Sequence, residues 1–159
     1  MLVRSRAPLR LGLAGGGTDL SPYCDVYGGA VLNATIDHYA FATLDTGVAD
    51  VEFLAADTGA AINLRPADAL DCPTDVLPLH HAVFRRVVRE FCGGRPFPCR
   101  LVTHCEAPPG SGLGSSSTLV VAMLKAYAEA FSLPLGEYDL AHTAFLIERI
   151  DADMKGGRQ

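Results

Sequence analysis

Apolar residues in the first stretch of the chain fall roughly at every second position, with Leu9, Leu11 and Leu13 in line, and the alternation stops at Gly15-Gly16-Gly17. A period of two marks a half-buried strand, so residues 2–14 are predicted as a strand ending in a glycine turn. Gly28-Gly29 opens a second apolar run, 30–34, and 38–44 makes a third. Residues 51–55 and 61–64 read as a hairpin, because Asp57, Thr58 and Gly59 between them favour a turn. The stretch 65–78 carries three prolines and reads as a loop. From His80 the period lengthens. Val83, Phe84, Val87, Val88 and Phe91 recur at helical spacing, opposite Arg85, Arg86 and Arg89, a basic face that reads as solvated helix surface. Gly93-Gly94 ends that helix, and 97–105 is strand-like again. Leu119, Val120, Met123, Leu124 and Tyr127 stack as another helix, broken at Leu133-Pro134. A last helix is predicted from near Glu137 through Ile150, with Leu140, Ala141, Ala144, Phe145 and Ile147 as its apolar positions. Strands first and helices later predict an α+β fold.

Composition narrows the classes. The 159 residues are 49% hydrophobic and 19% charged, which describes a chain able to bury a core, or part of a larger two-domain enzyme. The formal net charge of -5 argues against a nucleic-acid partner, which needs a basic face. No apolar run reaches membrane-spanning length; the longest, 119–131, is interrupted by Lys125 and Glu129. The N-terminal arginines are followed by glycines rather than by a signal-peptide core. Five cysteines, odd in number and without C-x-x-C spacing, fit reduced thiols in a cytoplasmic protein, and no His/Cys cluster suggests a zinc site. His80 and His81 are adjacent and are predicted to point to different faces of their helix.

The chemistry concentrates in Pro108-Pro109-Gly110-Ser111-Gly112-Leu113-Gly114-Ser115-Ser116-Ser117, a glycine-rich loop running into a helix. Alternating glycines let backbone amides turn inward and approach a ligand, and the helix N-terminus behind them adds partial positive charge. That combination is an anion site, and a nucleotide phosphate suits it. A Walker A loop needs lysine where Ser115 stands, and neither this loop nor Gly15-Gly16-Gly17 supplies G-x-G-x-x-G. The loop is therefore a phosphate cradle of amides and hydroxyls whose cation must come from elsewhere.

Glu148 lies four residues after Ala144 and seven after Ala141, so a carboxylate stands on an apolar stripe. A buried carboxylate must be paired or hold a metal. Magnesium beside nucleotide phosphates and an ion pair with a strand arginine or with Arg149 are both open on the residues alone. A third candidate is the strand arginine Arg10 followed by Gly15-Gly16-Gly17-Thr18-Asp19. Arg10 could balance transferring phosphoryl charge, and Asp19 could accept hydrogen bonds from sugar hydroxyls or could simply begin a turn.

These pieces occur together in one family. Residues 109–116 resemble the second signature motif of the GHMP kinases (galacto-, homoserine, mevalonate and phosphomevalonate kinases), and 6–19 resemble the first. Within the family, Pro-Leu-Arg, Ala-Gly-Gly-Gly-Thr-Asp-Leu, Gly-Gly-Ala-Val-Leu, Thr-Ile-Asp-His-Tyr and Lys-Gly-Gly-Arg-Gln are similar to the D-glycero-D-manno-heptose 7-phosphate kinases. The resemblance implies the family's N-terminal domain over residues 1–159, like the second domain of ribosomal protein S5, with a left-handed β-α-β crossover. It implies that Pro109, Gly110, Ser111, Gly112, Leu113, Gly114, Ser115 and Ser116 hold the phosphates of ATP, that Ser116 and Glu148 hold Mg²⁺, and that Arg10 stands near the transferring phosphoryl group. Gly16, Gly17, Thr18 and Asp19 would face the sugar; Gly16 and Gly17 replace acidic and histidine residues of galactokinases, which argues against galactose. Arg158 and Lys155 are candidates for the substrate's own phosphate. In the family an aspartate follows Gly-Gly-Arg-Gln, so the expectation is an N-terminal portion, inactive alone, of an enzyme that phosphorylates the anomeric hydroxyl of a heptose 7-phosphate with ATP. Another sugar kinase of the family, such as a fucose kinase, and a non-catalytic nucleotide- or sugar-binding module are the alternatives.

Overall fold

The structure, a computed structural model, describes residues 1–72 and 75–154. Its centre is a five-stranded sheet with the spatial order β1-β2-β5-β3-β4. The strands are β1 (Leu2–Ala14), β2 (Leu32–Asp45), β3 (Val51–Ala55), β4 (Ala60–Leu64) and β5 (Cys99–Cys105). All pairings are antiparallel except β3 with β5, whose parallel register requires a crossover through α2 (Pro78–Phe91). A five-residue helix, α1 (Tyr23–Tyr27), sits between β1 and β2. Two longer helices close the chain, α3 (Ser115–Phe131) and α4 (Glu137–Leu146), and α4 runs on into a π-helical turn, Ile147–Asp151.

The runs 30–34 and 38–44, predicted as two strands, are one strand, β2. The reason is a bulge. Pro8 pairs with Tyr39 and Arg10 with Thr35, so Leu9 alone opposes Ile36, Asp37 and His38. The bulge leaves Asp37 and His38 exposed, and these polar residues interrupt the apolar run and make one strand look like two. The 51–55/61–64 hairpin forms as predicted, and the proline-rich stretch carries a short 3₁₀ turn, Pro66–Asp68.

Alternation decides which sheet face is covered. Ala40, Ala42 and Leu44 of β2, Cys99 and Leu101 of β5, and Val51 and Phe53 of β3 point to the side where α2 and α3 pack. Phe53, Phe84 and Tyr127 are the largest fully buried side chains of this core. Ser5 Oγ of β1 donates to the Ala122 carbonyl of α3 at 2.5 Å, which fixes that helix along the strand. His80 and His81, predicted to diverge, are both buried, because Phe53 reaches both rings at centroid distances of 6.0 and 5.0 Å. The basic face of α2 is likewise only partly solvated. Arg89 is exposed, whereas Arg85 donates to the Cys72 carbonyl and Arg86 is tied to Asp151. Among the described residues no helix is long and apolar enough to cross a membrane.

Candidate active site

The loop before α3 follows from its glycines. Gly110, Gly112 and Gly114 have φ of 80°, 75° and 73°, left-handed values that cost other L-residues about 1–2 kcal/mol each. A Cβ at Gly110 or Gly112 would meet nothing within 4 Å, so those two are glycine for conformation alone. Gly114 is the N-cap of α3, no side chain caps the helix, and its first turn carries no acidic residue. The first amides of a helix have no intrahelical acceptor, so this end remains an anion-binding terminus.

Arg10 meets this loop directly. Its amide donates to the Leu113 carbonyl at 3.1 Å. Its side chain lies on Gly114, where a Cβ would stand 3.1 Å from Nε and 3.2 Å from the guanidinium carbon. The contact falls beside the β1–β2 bulge, a device that re-aims side chains. Leu113 serves as an anchor: its side chain packs on Leu9, Ala40, Cys105 and Ala107, a small cluster beneath the loop.

Glu148 is buried at 5% exposure on the π turn. Its Oε2 accepts from Ser117 Oγ at 2.6 Å, a short charge-assisted bond, and lies 3.6 Å from Arg149 Nη2. The hydroxyl facing Glu148 is thus that of Ser117 and not Ser116. Successive helical residues are rotated by about 100°, so only one of three adjacent serines can face α4. The Ser116 hydroxyl has no hydrogen-bond partner among the described residues. The ion pair considered for Glu148 also exists, with Arg149, so the carboxylate is supported from two sides.

The Gly15–Asp19 turn is built backbone against backbone. A Cβ on Gly15 would lie 1.9 Å from the Ala30 carbonyl oxygen, and one on Gly29 2.2 Å from that of Thr18. Thr18 Oγ1 lies 2.8 Å from the Gly15 carbonyl oxygen and 3.1 Å from that of Ala30, and accepts from the Ala30 amide. Asp19 Oδ1 accepts from the Gly17 amide at 3.3 Å.

The GHMP kinases N terminal domain matches residues 79–159, a span that holds both the loop and Glu148. This chain belongs to the GHMP kinase family. It is 44% identical over 157 residues to the D-glycero-alpha-D-manno-heptose 7-phosphate kinase of Campylobacter jejuni, covering 99% of this chain and 46% of that protein. The crystal structure of a D-glycero-D-manno-heptose 1-phosphate kinase from Bacteroides thetaiotaomicron superposes with a TM-score of 0.92 at 43% identity, over 100% of this chain and 51% of the other. Lactococcus lactis galactokinase, solved with galactose, shares the fold with a TM-score of 0.77 at 18% identity, over 99% and 40% of the two chains. The chain thus spans about half the length of these relatives.

The hydrogen-bond partner of Glu148 is Ser117, and Ser116 stands next to it at the head of α3. Thr18, expected to face the sugar, commits its hydroxyl to backbone on both sides of its turn, so it shapes the turn rather than offering a free donor. Leu113 contributes backbone and packing. Arg158 and Lys155 lie outside the described residues. Reading along the chain missed the Arg86–Asp151 pair and the π turn altogether, since residues 65 positions apart carry no periodic signal and a π turn has no sequence mark.

Proposed function

We propose that this chain is the nucleotide-gripping part of an ATP-dependent sugar kinase that phosphorylates the anomeric hydroxyl of D-glycero-D-manno-heptose 7-phosphate to the 1,7-bisphosphate. The observation that carries the reading is the seating of Arg10 on Gly114, three residues before the serine that holds the buried Glu148. A cation, an amide-lined loop and a buried carboxylate converge on the head of one helix, and these are the parts phosphoryl transfer needs.

In this reading the loop amides and the first amides of α3 hold the ATP phosphates, and Ser115 and Ser116 add hydroxyls. Arg10 lies where its charge offsets that on the transferring group. The donor set suits magnesium: one carboxylate with nearby hydroxyls, to be completed by phosphate oxygens and water. Glu148 and the Ser116 hydroxyl would hold it, with Ser117 orienting the carboxylate. Mg²⁺ there would supply neutralisation of phosphate charge. Asp19 and the Gly16-Gly17 turn offer the sugar a carboxylate and open backbone. Reliance on ATP and a heptose phosphate suits a cytoplasmic enzyme.

The two heptose kinases carry names that differ in the position of the phosphate. A kinase that takes the 7-phosphate and adds a phosphoryl group at position 1 is consistent with both. The test is turnover of the full natural protein with ATP and, in parallel, heptose 7-phosphate, L-fucose and galactose. The expected result is transfer to the heptose phosphate alone. Transfer only to a non-phosphorylated sugar would sink the heptose reading, and tight ATP binding without transfer to any would favour a binding module.

A further inference from the structure

The turn that carries Glu148 is held from outside the site. After Leu146 the helix widens: the Ala152 amide bonds the Ile147 carbonyl at 2.9 Å, five residues back, and the Met154 amide bonds the Glu148 carbonyl at 2.9 Å. π turns of this kind concentrate at functional sites because they turn side chains out of α-helical register. The first residue of the turn, Ile147, is fully buried. The last, Asp151, receives a two-pronged bond from Arg86 of α2, with Nε 2.7 Å from Oδ2 and Nη2 2.9 Å from Oδ1. Arg86 is itself fixed, its Nη1 donating to Glu90 Oε1 at 2.5 Å. Its side chain is 16% exposed and that of Asp151 25%, so the pair is partly enclosed. Beside it lies a cavity of about 190 Å³ bordered by Ala82, Arg85 and Arg89, room into which Asp151 could swing if Arg86 were lost. Glu148 leaves the turn between these two fixed ends, toward α3 and Ser117.

We propose that the Arg86–Asp151 pair is a positioning device for Glu148: it locks the π turn and so sets the direction in which the carboxylate faces Ser117 and the head of α3. Two helices thereby aim one oxygen ligand, α3 by a direct hydrogen bond and α2 through the backbone of the turn. The inference rests on the reading of Glu148 as the carboxylate that holds the nucleotide's metal.

The test measures Mn²⁺ affinity of the full natural protein, from the free-ion electron spin resonance signal, in the presence of a non-hydrolysable ATP analogue. Affinity for the same analogue in EDTA and the melting temperature are measured beside it. Glu148→Gln is the reference and should weaken Mn²⁺ binding at least about tenfold; direct outer-sphere partners of metal ligands typically contribute about 10- to 100-fold, so Arg86→Met and Asp151→Asn, which act one step further out, should weaken it by about three- to tenfold. Arg86→Lys, which keeps the charge but loses the fork, should fall between them and wild type. Analogue affinity in EDTA should not change. If Arg86→Met does not fold, Asp151→Asn and Arg86→Lys carry the comparison. Variants that melt earlier yet bind Mn²⁺ like wild type, or that lose metal-free analogue binding equally, would show a purely structural pair and overturn the proposal. Wild-type Mn²⁺ affinity in Glu148→Gln would instead remove the reading of Glu148 itself, and the proposal with it.

Discussion

At the scale of single residues the site is defined by what cannot carry a Cβ. Gly114 combines a left-handed backbone with the Arg10 side chain lying on its open face. Gly114→Ala therefore costs the conformational penalty of about 1–2 kcal/mol and also displaces the guanidinium. Gly112→Ala incurs only the first cost, since open space surrounds it. Fluorescent-nucleotide titration should show about tenfold weaker binding for Gly114→Ala than for Gly112→Ala; equal losses would mean that the Arg10 contact contributes nothing. Gly15 makes a different prediction. Its Cβ would collide with the Ala30 carbonyl, so Gly15→Ala should lower stability by about 3 kcal/mol in chemical denaturation, against about 1–2 kcal/mol for Gly110→Ala. Of these constraints only the glycine pattern is legible in the sequence. That Gly112 is needed for φ and Gly15 for close approach depends on which strand end or carbonyl lies opposite.

At the scale of elements, periodicity found α2, α3, α4 and the hairpin because each keeps one face on one core, and it passed over the five-residue α1, which buries no residue. It misread β2, where the exposed Asp37 and His38 of the bulge opposite Leu9 interrupt the apolar run, and it ran the last helix through Ile150 without marking the π turn from Ile147. Glu148 was legible as a carboxylate on a buried stripe, but Ala141, placed on the same stripe, is exposed. The buried line runs through Thr143, Ala144, Ile147 and Glu148 instead. On α2, burial against Phe53 lowers the pKa of both His80 and His81 to about 4, with His81 further lowered by the neighbouring Arg85 charge. The folded chain keeps these rings neutral where the unfolded chain protonates them near 6.5. Stability is therefore complete above pH 6.5 and declines as the pH falls from 6.5 to about 4, by roughly 2–3 kcal/mol per imidazole. Urea midpoints at pH 7.5 and pH 5 should show this loss in the wild type and a smaller one in His81→Leu. Identical slopes in the two proteins would contradict the assignment. His80 is the poorer choice for that experiment, because its Nε2 is paired with Thr103 Oγ1 at 2.9 Å and removing it would leave a buried hydroxyl unsatisfied.

At the scale of the molecule, one sheet face carries the helices and the core, while the other carries Tyr39 and Phe41 under the guanidinium groups of Arg6 and Arg4, at 4.6 and 5.0 Å. The α+β class was legible from the order of strands and helices, and the family from the loop at 109–116. The strand order was not, because pairing β5 between β2 and β3 depends on contacts between residues 48 to 65 positions apart. The loop, Arg10 and Glu148 come from three distant stretches, and α3 is what gathers them: β1 is tied along it, the loop leads into its first turn, and Ser117 bonds the π turn. The central claim is that this gathering forms a site for a nucleotide carrying its metal. Calorimetric titration of the full natural protein with ATP, with and without Mg²⁺, tests it directly in wild type and Glu148→Gln. The account predicts that Mg²⁺ tightens ATP binding by about tenfold or more in wild type, and that Glu148→Gln erases most of that gain while leaving metal-free binding intact. Equal affinities with and without Mg²⁺ in wild type, or an undiminished gain in Glu148→Gln, would contradict it.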